Sequence, residues 1–191
     1  MATDSDKNIA TLKTYVNDML TLQKHILEAT EHQVADPNVK AEAQTIELVS
    51  KVKHTLTGQV EDLEKQVARL GSEVTATAKQ VVGHVLGVAA GLYDHIRKDP
   101  VSRMLRDGYT ALNMSSFSYT MLHTTGLAYH DQVVADLALA HLQQLTPLIM
   151  RYNEIIPNVV AAELSDEGAG IDTGVGSQAI ENTQEAWKPQ S

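Results

Sequence analysis

The chain has 191 residues, enough to bury one sizeable core, and its 24 acidic and 15 basic residues give a net charge of −9. That balance excludes nonspecific nucleic-acid binding, which needs a basic surface to displace counterions, and docking on anionic membranes. The lack of cysteine excludes disulfides, thiolate zinc sites and cysteine nucleophiles.

The first seven residues are a polar lead-in, with Asp4 or Ser5 as a helix cap. A first helix is predicted from there to Ala35. Leu12, Val16, Met19, Gln23 and Ile26 recur at spacings of three and four, so they share its buried face. Gln23 therefore sets an uncharged amide on a core stripe, near His25. "DPN" at 36–38 breaks the helix. A second helix is predicted over 39–70, with the stripe Val49, Val52, Leu56, Val60, Leu63, Val67 and Leu70, and with Gly71 as its C-cap. Two long helices joined by a short link predict an antiparallel hairpin.

Residues 73–98 read as a further helical segment. Gly83, Gly87 and Gly91 repeat every four residues and share one face. Each glycine costs roughly 0.8–1 kcal/mol against alanine, so the stripe points to close helix packing or an interface rather than to chance. After "KDP", a third bundle helix is predicted over 101–129 and a fourth over 131–156. Pro147 lies inside the fourth helix, and Pro157 is expected to break it before a short turn of helix to Leu164. The domain reading is a bundle over 1–164 and a glycine-rich tail over 165–191. The tail is flexible or docks through residues such as Ile180 and Trp187. The N-terminus lacks the apolar run of a signal peptide. The longest near-apolar run, residues 81–93, is shorter than the roughly 20 residues a membrane span needs. A soluble, cytoplasmic protein is expected.

Four long helices in two hairpins, with an additional helix between the second and third, suggest an all-α, ferritin-like four-helix bundle. "TGQVEDLEKQVARLG" at 57–71 resembles the second bundle helix of the YciF-like bacterial stress proteins, a ferritin-like family. "LQKHIL" resembles part of their first helix, "VSRMLRDGYTALNMSSFSYTML" their third, and "AHLQQLTPLIMRYNEIIP" their fourth. The resemblance spans roughly residues 8–160. Ferritin-like proteins usually hold two iron or manganese ions with glutamates projecting from all four helices. At the matching positions this chain has Gln23, then His54, Thr55, Leu56 and Thr57, then Ser115 and Ser118, and finally Gln144.

The resemblance thus implies a bundle without its metal site and without a cofactor. It implies a non-catalytic structural or binding role, self-association as a homodimer or higher homo-oligomer, and a stress-associated bacterial setting. The alternative is an Fe or Mn oxidase or iron-binding protein. A third reading is an adaptor whose tail, with Trp187, docks on a protein partner. His25, His54 and His123 are the fallback metal ligands, since imidazole suits transition ions, although no HxxxH or HExxH spacing occurs. Ser118 with His123 five residues on is no nucleophile elbow, which needs a strand-to-helix turn. The glycines form no phosphate loop.

Overall fold

The computed structural model describes residues 4–71, 100–168, 170–186 and 188. All its elements are helices: α1 (Asp4–Ala35), α2 (Pro37–Ala41), α3 (Ala43–Arg69), α4 (Val101–Ala128), α5 (Gln132–Asp166) and α6 (Val175–Ala186). The chain is all-α. The predicted helix between the second and third bundle helices, and Gly83, Gly87 and Gly91 with it, lie outside the described residues.

Four of the helices pack as a bundle, and the pairings give their directions. Lys24 meets Glu64 at 2.6 Å and Glu31 meets Lys53 at 3.2 Å, so α1 and α3 are antiparallel. Gln33 Nε2 donates to the Met104 carbonyl at 2.9 Å, which sets α4 antiparallel to α1. His123 Nδ1 lies 2.8 Å from the Ala135 carbonyl and Ser102 N donates to Glu163 Oε1 at 3.0 Å, so α4 and α5 form the second hairpin. Arg69 pairs with Asp131 through two bonds of 2.7 and 2.9 Å, which ties the end of α3 to the start of α5. It follows that α3 and α4 run in the same direction. Gly71 and Pro100 sit at opposite ends of the bundle, and residues 72–99 connect them.

The core is one cluster of apolar stripes: Leu12, Val16, Met19 and Ile26 from α1, Val49 to Val67 from α3, Leu105, Leu112 and Leu122 from α4, Leu145 and Ile155 from α5. The predicted second helix proves to be two. Asp36 Oδ1 accepts from Asn38 N and Val39 N, and with Pro37 it starts the single turn of α2. The chain then turns extended at Glu42 before α3 begins. Val39 is buried, so α2 closes one end of the core.

Two left-handed residues end helices. Gly71 takes φ 63°, a left-handed value suited to glycine, and ends α3. Between α4 and α5 the left-handed residue is His130, with φ 58°. Asp131 N donates to the Gly126 carbonyl and His130 N to the Leu127 carbonyl, the paired bonds of a Schellman end. Asp131 then caps α5 through Val134 N at 3.0 Å.

The expected break at Pro157 does not occur. α5 contains both Pro147 and Pro157 and continues to Asp166. A proline removes one backbone bond, but its φ fits a helix. Ile155, Val159 and Ala161 are buried on both sides of Pro157, and that burial holds the helix together. The extension places Glu163 at the N-terminus of α4, where a carboxylate is favoured by the free N–H groups and the helix dipole. Part of the tail is the helix α6, seated on α5. A Cβ at Gly176 would stand 2.9 Å from the Asn158 Cα and 3.2 Å from the Pro157 carbonyl, so that contact admits only glycine without rearrangement. Ile180 is half-buried on α6, and Trp187 lies outside the described residues.

Candidate functional site

A connected polar cluster spans the centre of the bundle, with members from all four long helices. Gln23 on α1 donates from Nε2 to Gln59 Oε1 at 3.2 Å and to Ser115 Oγ at 2.5 Å. Gln59 on α3 donates from Nε2 to the His141 carbonyl at 3.1 Å and to Gln144 Oε1 at 3.0 Å. Tyr119 on α4 donates to Gln59 Oε1 at 3.2 Å, and His141 Nδ1 on α5 lies 3.0 Å from the same phenol oxygen. Gln23, Gln59, Ser115, Tyr119 and His141 are all buried, and Gln144 forms the exposed end of the chain of bonds.

Local register explains the assembly. Gln59 is three residues after Leu56 and four before Leu63, so it falls on the core stripe of α3. Tyr119 is four after Ser115. His141 is three after Ala138 and four before Leu145. In each case the core stripe carries polar residues at the same level of the bundle.

The donors and acceptors assign the protons. The His141 carbonyl only accepts, so Gln59 must present its NH₂ there and its oxygen to Gln23 and Tyr119. The Tyr119 oxygen lies within hydrogen-bond distance of both Gln59 Oε1 and His141 Nδ1. Nε2 is left facing the Asp62 carboxylate at 3.5 Å. Burial pushes the His141 imidazole below its ordinary pKa of 6.5, against the opposing pull of Asp62. Burial likewise drives the Tyr119 hydroxyl far up, so it stays protonated. Lys65, rather than His141, is the main partner that lowers the Asp62 carboxyl. The cluster is therefore neutral at neutral pH, and only Gln23 Oε1 lacks a hydrogen-bond partner within it.

The depressed imidazole has a consequence for stability. The unfolded chain takes up a proton on this residue near pH 6.5, where the folded chain resists it. Stability contributed by neutral His141 is thus present above pH 6.5, declines as pH falls below it, and levels off beneath the folded-state value. Urea unfolding at pH 7.5 and 5.5 should show this decline. His141→Gln should flatten it in that window; an unchanged slope would remove His141 as its source.

The residues expected from the sequence are distributed unevenly. Gln23 and Ser115 are at the centre of the cluster and Gln144 at its rim. Ser118 is not part of it: its hydroxyl bonds back to the Met114 carbonyl at 2.9 Å, because it lies three residues past Ser115 on the flank of the helix. The α3 member is Gln59, a half-turn beyond the expected His54–Thr57 span. Of the fallback histidines, His54 is exposed, His25 is half-buried on the flank of α1, and His123 bonds the Ala135 carbonyl. They sit on three helices at different heights and do not converge. Gln59, Tyr119 and His141 were the residues missed, and their only sequence signal was a polar side chain in phase with an apolar stripe.

A pair of divalent ions carries four positive charges and takes anionic oxygen. This cluster offers amides, a hydroxyl, a phenol and one imidazole, with Asp62 only at its edge. Among the described residues no group of three histidine, aspartate or glutamate side chains could hold a metal ion. The donor set does not fit a two-metal centre. What fold and site define together is an all-α bundle with a neutral hydrogen-bonded centre. Comparison with family models, with curated proteins and with solved structures finds no match to this chain.

Proposed function

We propose that the protein is a ferritin-like bundle in which a neutral hydrogen-bond network stands where related bundles hold metal. Its role is non-catalytic: a structural or binding module that works by self-association, in the stress-associated setting the resemblance implies. The observation that carries this reading is the cluster of Gln23, Gln59, Ser115, Tyr119, His141 and Gln144. All four long helices contribute to it, at mid-bundle, without a carboxylate. The order of helix directions supports it too. Two antiparallel hairpins whose members α3 and α4 run in the same direction fit the ferritin-like arrangement. A hydrogen-bonded network of this kind locks helix register in place of bound ions, since breaking it leaves buried amides unpaired at about 1–3 kcal/mol each.

An Fe or Mn oxidase would need anionic ligands that this centre lacks. The test is to express the chain with added iron and manganese, purify it without chelator and measure metal per chain. The expected result is far below one ion per chain. A stoichiometry near one or two that falls on substituting Gln23, His141 or Gln144 would overturn the reading in favour of the oxidase.

A further inference from the structure

The chain turns back after α5 and lays α6 on it, and a thin contact joins the two. Of the 12 residues of α6, Gly176 is buried, Ala179 and Ile180 are half-buried, and the others stand in solvent. α5 by contrast buries a stripe from Val134 to Val159 in the bundle core. The polar side chains of the tail bond within the tail. Thr183 Oγ1 donates to the Ala179 carbonyl at 2.8 Å, and Lys188 pairs with Glu185. The first turn of α6 is also closed from inside. Gly174 N donates to Asp172 Oδ1 at 2.9 Å, and Val175 N to the Asp172 carbonyl at 3.2 Å. A helix this short is marginal in water by itself, since isolated helices below about 12–15 residues do not repay their nucleation. α6 therefore owes its helical state to its seat on α5, whereas α5 is held by the other bundle helices. The link between them leaves room to move. Gly168 and Gly170 take φ of 81° and 59°, and a Cβ at either would meet nothing within 4 Å.

We infer that α6 is a strap that opens from α5 as a unit while the bundle stays folded. The contact and the helix are lost together, because neither persists without the other, and that makes the opening a local cooperative event. The pivot is the turn at residues 167–174. The latch is Gly176. The position of a Cβ there lies 2.9 Å from the Asn158 Cα and 3.2 Å from the Pro157 carbonyl, so any side chain lifts the first turn of α6 off its seat. Ile180, one helical turn further on, is the second hold. The seat lies where α5 is itself interrupted, since Pro157 has no N–H to offer the Asn153 carbonyl. Core burial keeps α5 intact at that point whether the strap is closed or open. A protease that cuts the tail acts through the open state, at a rate set by how much of the chain is open. The strap does not depend on the reading of the bundle given above, and its test involves neither metal nor a second chain.

Hydrogen exchange of the full chain at neutral pH, read by mass spectrometry, tests this. Amides of α6 should exchange at least about 100-fold faster than those of α5 between Leu145 and Ile155, yet at least about 5-fold slower than an unstructured peptide. Gly176→Leu should bring α6 to unstructured rates and leave both the protection of α5 and the melting temperature as in wild type. Ile180→Glu should do the same without touching the close contact at Asn158. Limited proteolysis should cut both variants within residues 167–186 at least about 10-fold faster than wild type. Amides of α6 as slow as those of α5 would overturn the proposal, because α6 would then open only with the whole fold. So would α6 amides at unstructured rates in the wild type, since nothing would be latched. A variant in which α5 loses protection or the melting temperature falls would overturn it too, because α6 would then be part of the core.

Discussion

Gln59→Leu is expected to destabilise the bundle by about 2–4 kcal/mol, because no other side chain in the cluster makes as many of its bonds. Its amide joins Gln23, Tyr119, the His141 carbonyl and Gln144. Leucine fills the space and leaves the Tyr119 hydroxyl and the Gln23 amide without the acceptor they share. For a chain of this size that corresponds to a fall in melting temperature of roughly 5–15 °C. Gln23→Leu should cost less, since Gln23 Oε1 already lacks a partner and its removal relieves one orphaned atom. Gln59→Glu separates hydrogen bonding from packing. It keeps the shape but sets an anionic acceptor against the His141 carbonyl and Gln144, so it should be worse at pH 8 than at pH 4. Equal melting temperatures for wild type and Gln59→Leu would mean that the network contributes nothing to stability.

Gly126→Leu should separate α4 from α5. A Cβ at Gly126 would stand 2.7 Å from the Ala135 nitrogen, 3.0 Å from its Cα and 3.1 Å from its Cβ. Two of those atoms are backbone and cannot swing aside. Even Gly126→Ala should cost about 1–3 kcal/mol as overpacking, which outweighs the roughly 1 kcal/mol that alanine gains in helix propensity. Leucine should cost more and loosen the turn that holds His130 and Asp131. Denaturant unfolding of both variants checks the order wild type, alanine, leucine. Gly58→Ala is the control, since a Cβ there meets nothing within 4 Å and alanine should be neutral or stabilising. If Gly126→Ala matches wild type, the helices have room the structure does not show.

Helical periodicity is a local property, and the sequence carried it well. The end of α1 at Ala35, the stripe of α3, the glycine that terminates it and the start of α4 at Val101 follow from spacing, breakers and caps within a few residues. Gln23 on a buried face was legible for the same reason. Pro157 marks where local reading stops. A proline signals a lost backbone bond, whereas the burial of Val159 and Ala161 and the reach of Glu163 to Ser102 depend on another helix. Gly126, the close-packing glycine between α4 and α5, stands alone in its sequence and has no periodicity to reveal it.

The sequence by itself determined an all-α chain, long hairpin helices, a neutral rather than anionic set of core polar residues, and the absence of thiol chemistry. Only the tertiary structure decided which of those polar residues meet. A slip of half a turn separates Thr57 from Gln59, and of one residue Ser118 from Tyr119, and in each pair one lies on the flank and the other bonds at the centre. Side chains on one helix are ordered by its 3.6-residue turn. The relative rotation and height of four helices are set by how their apolar surfaces interlock, and that is a property of the packed bundle.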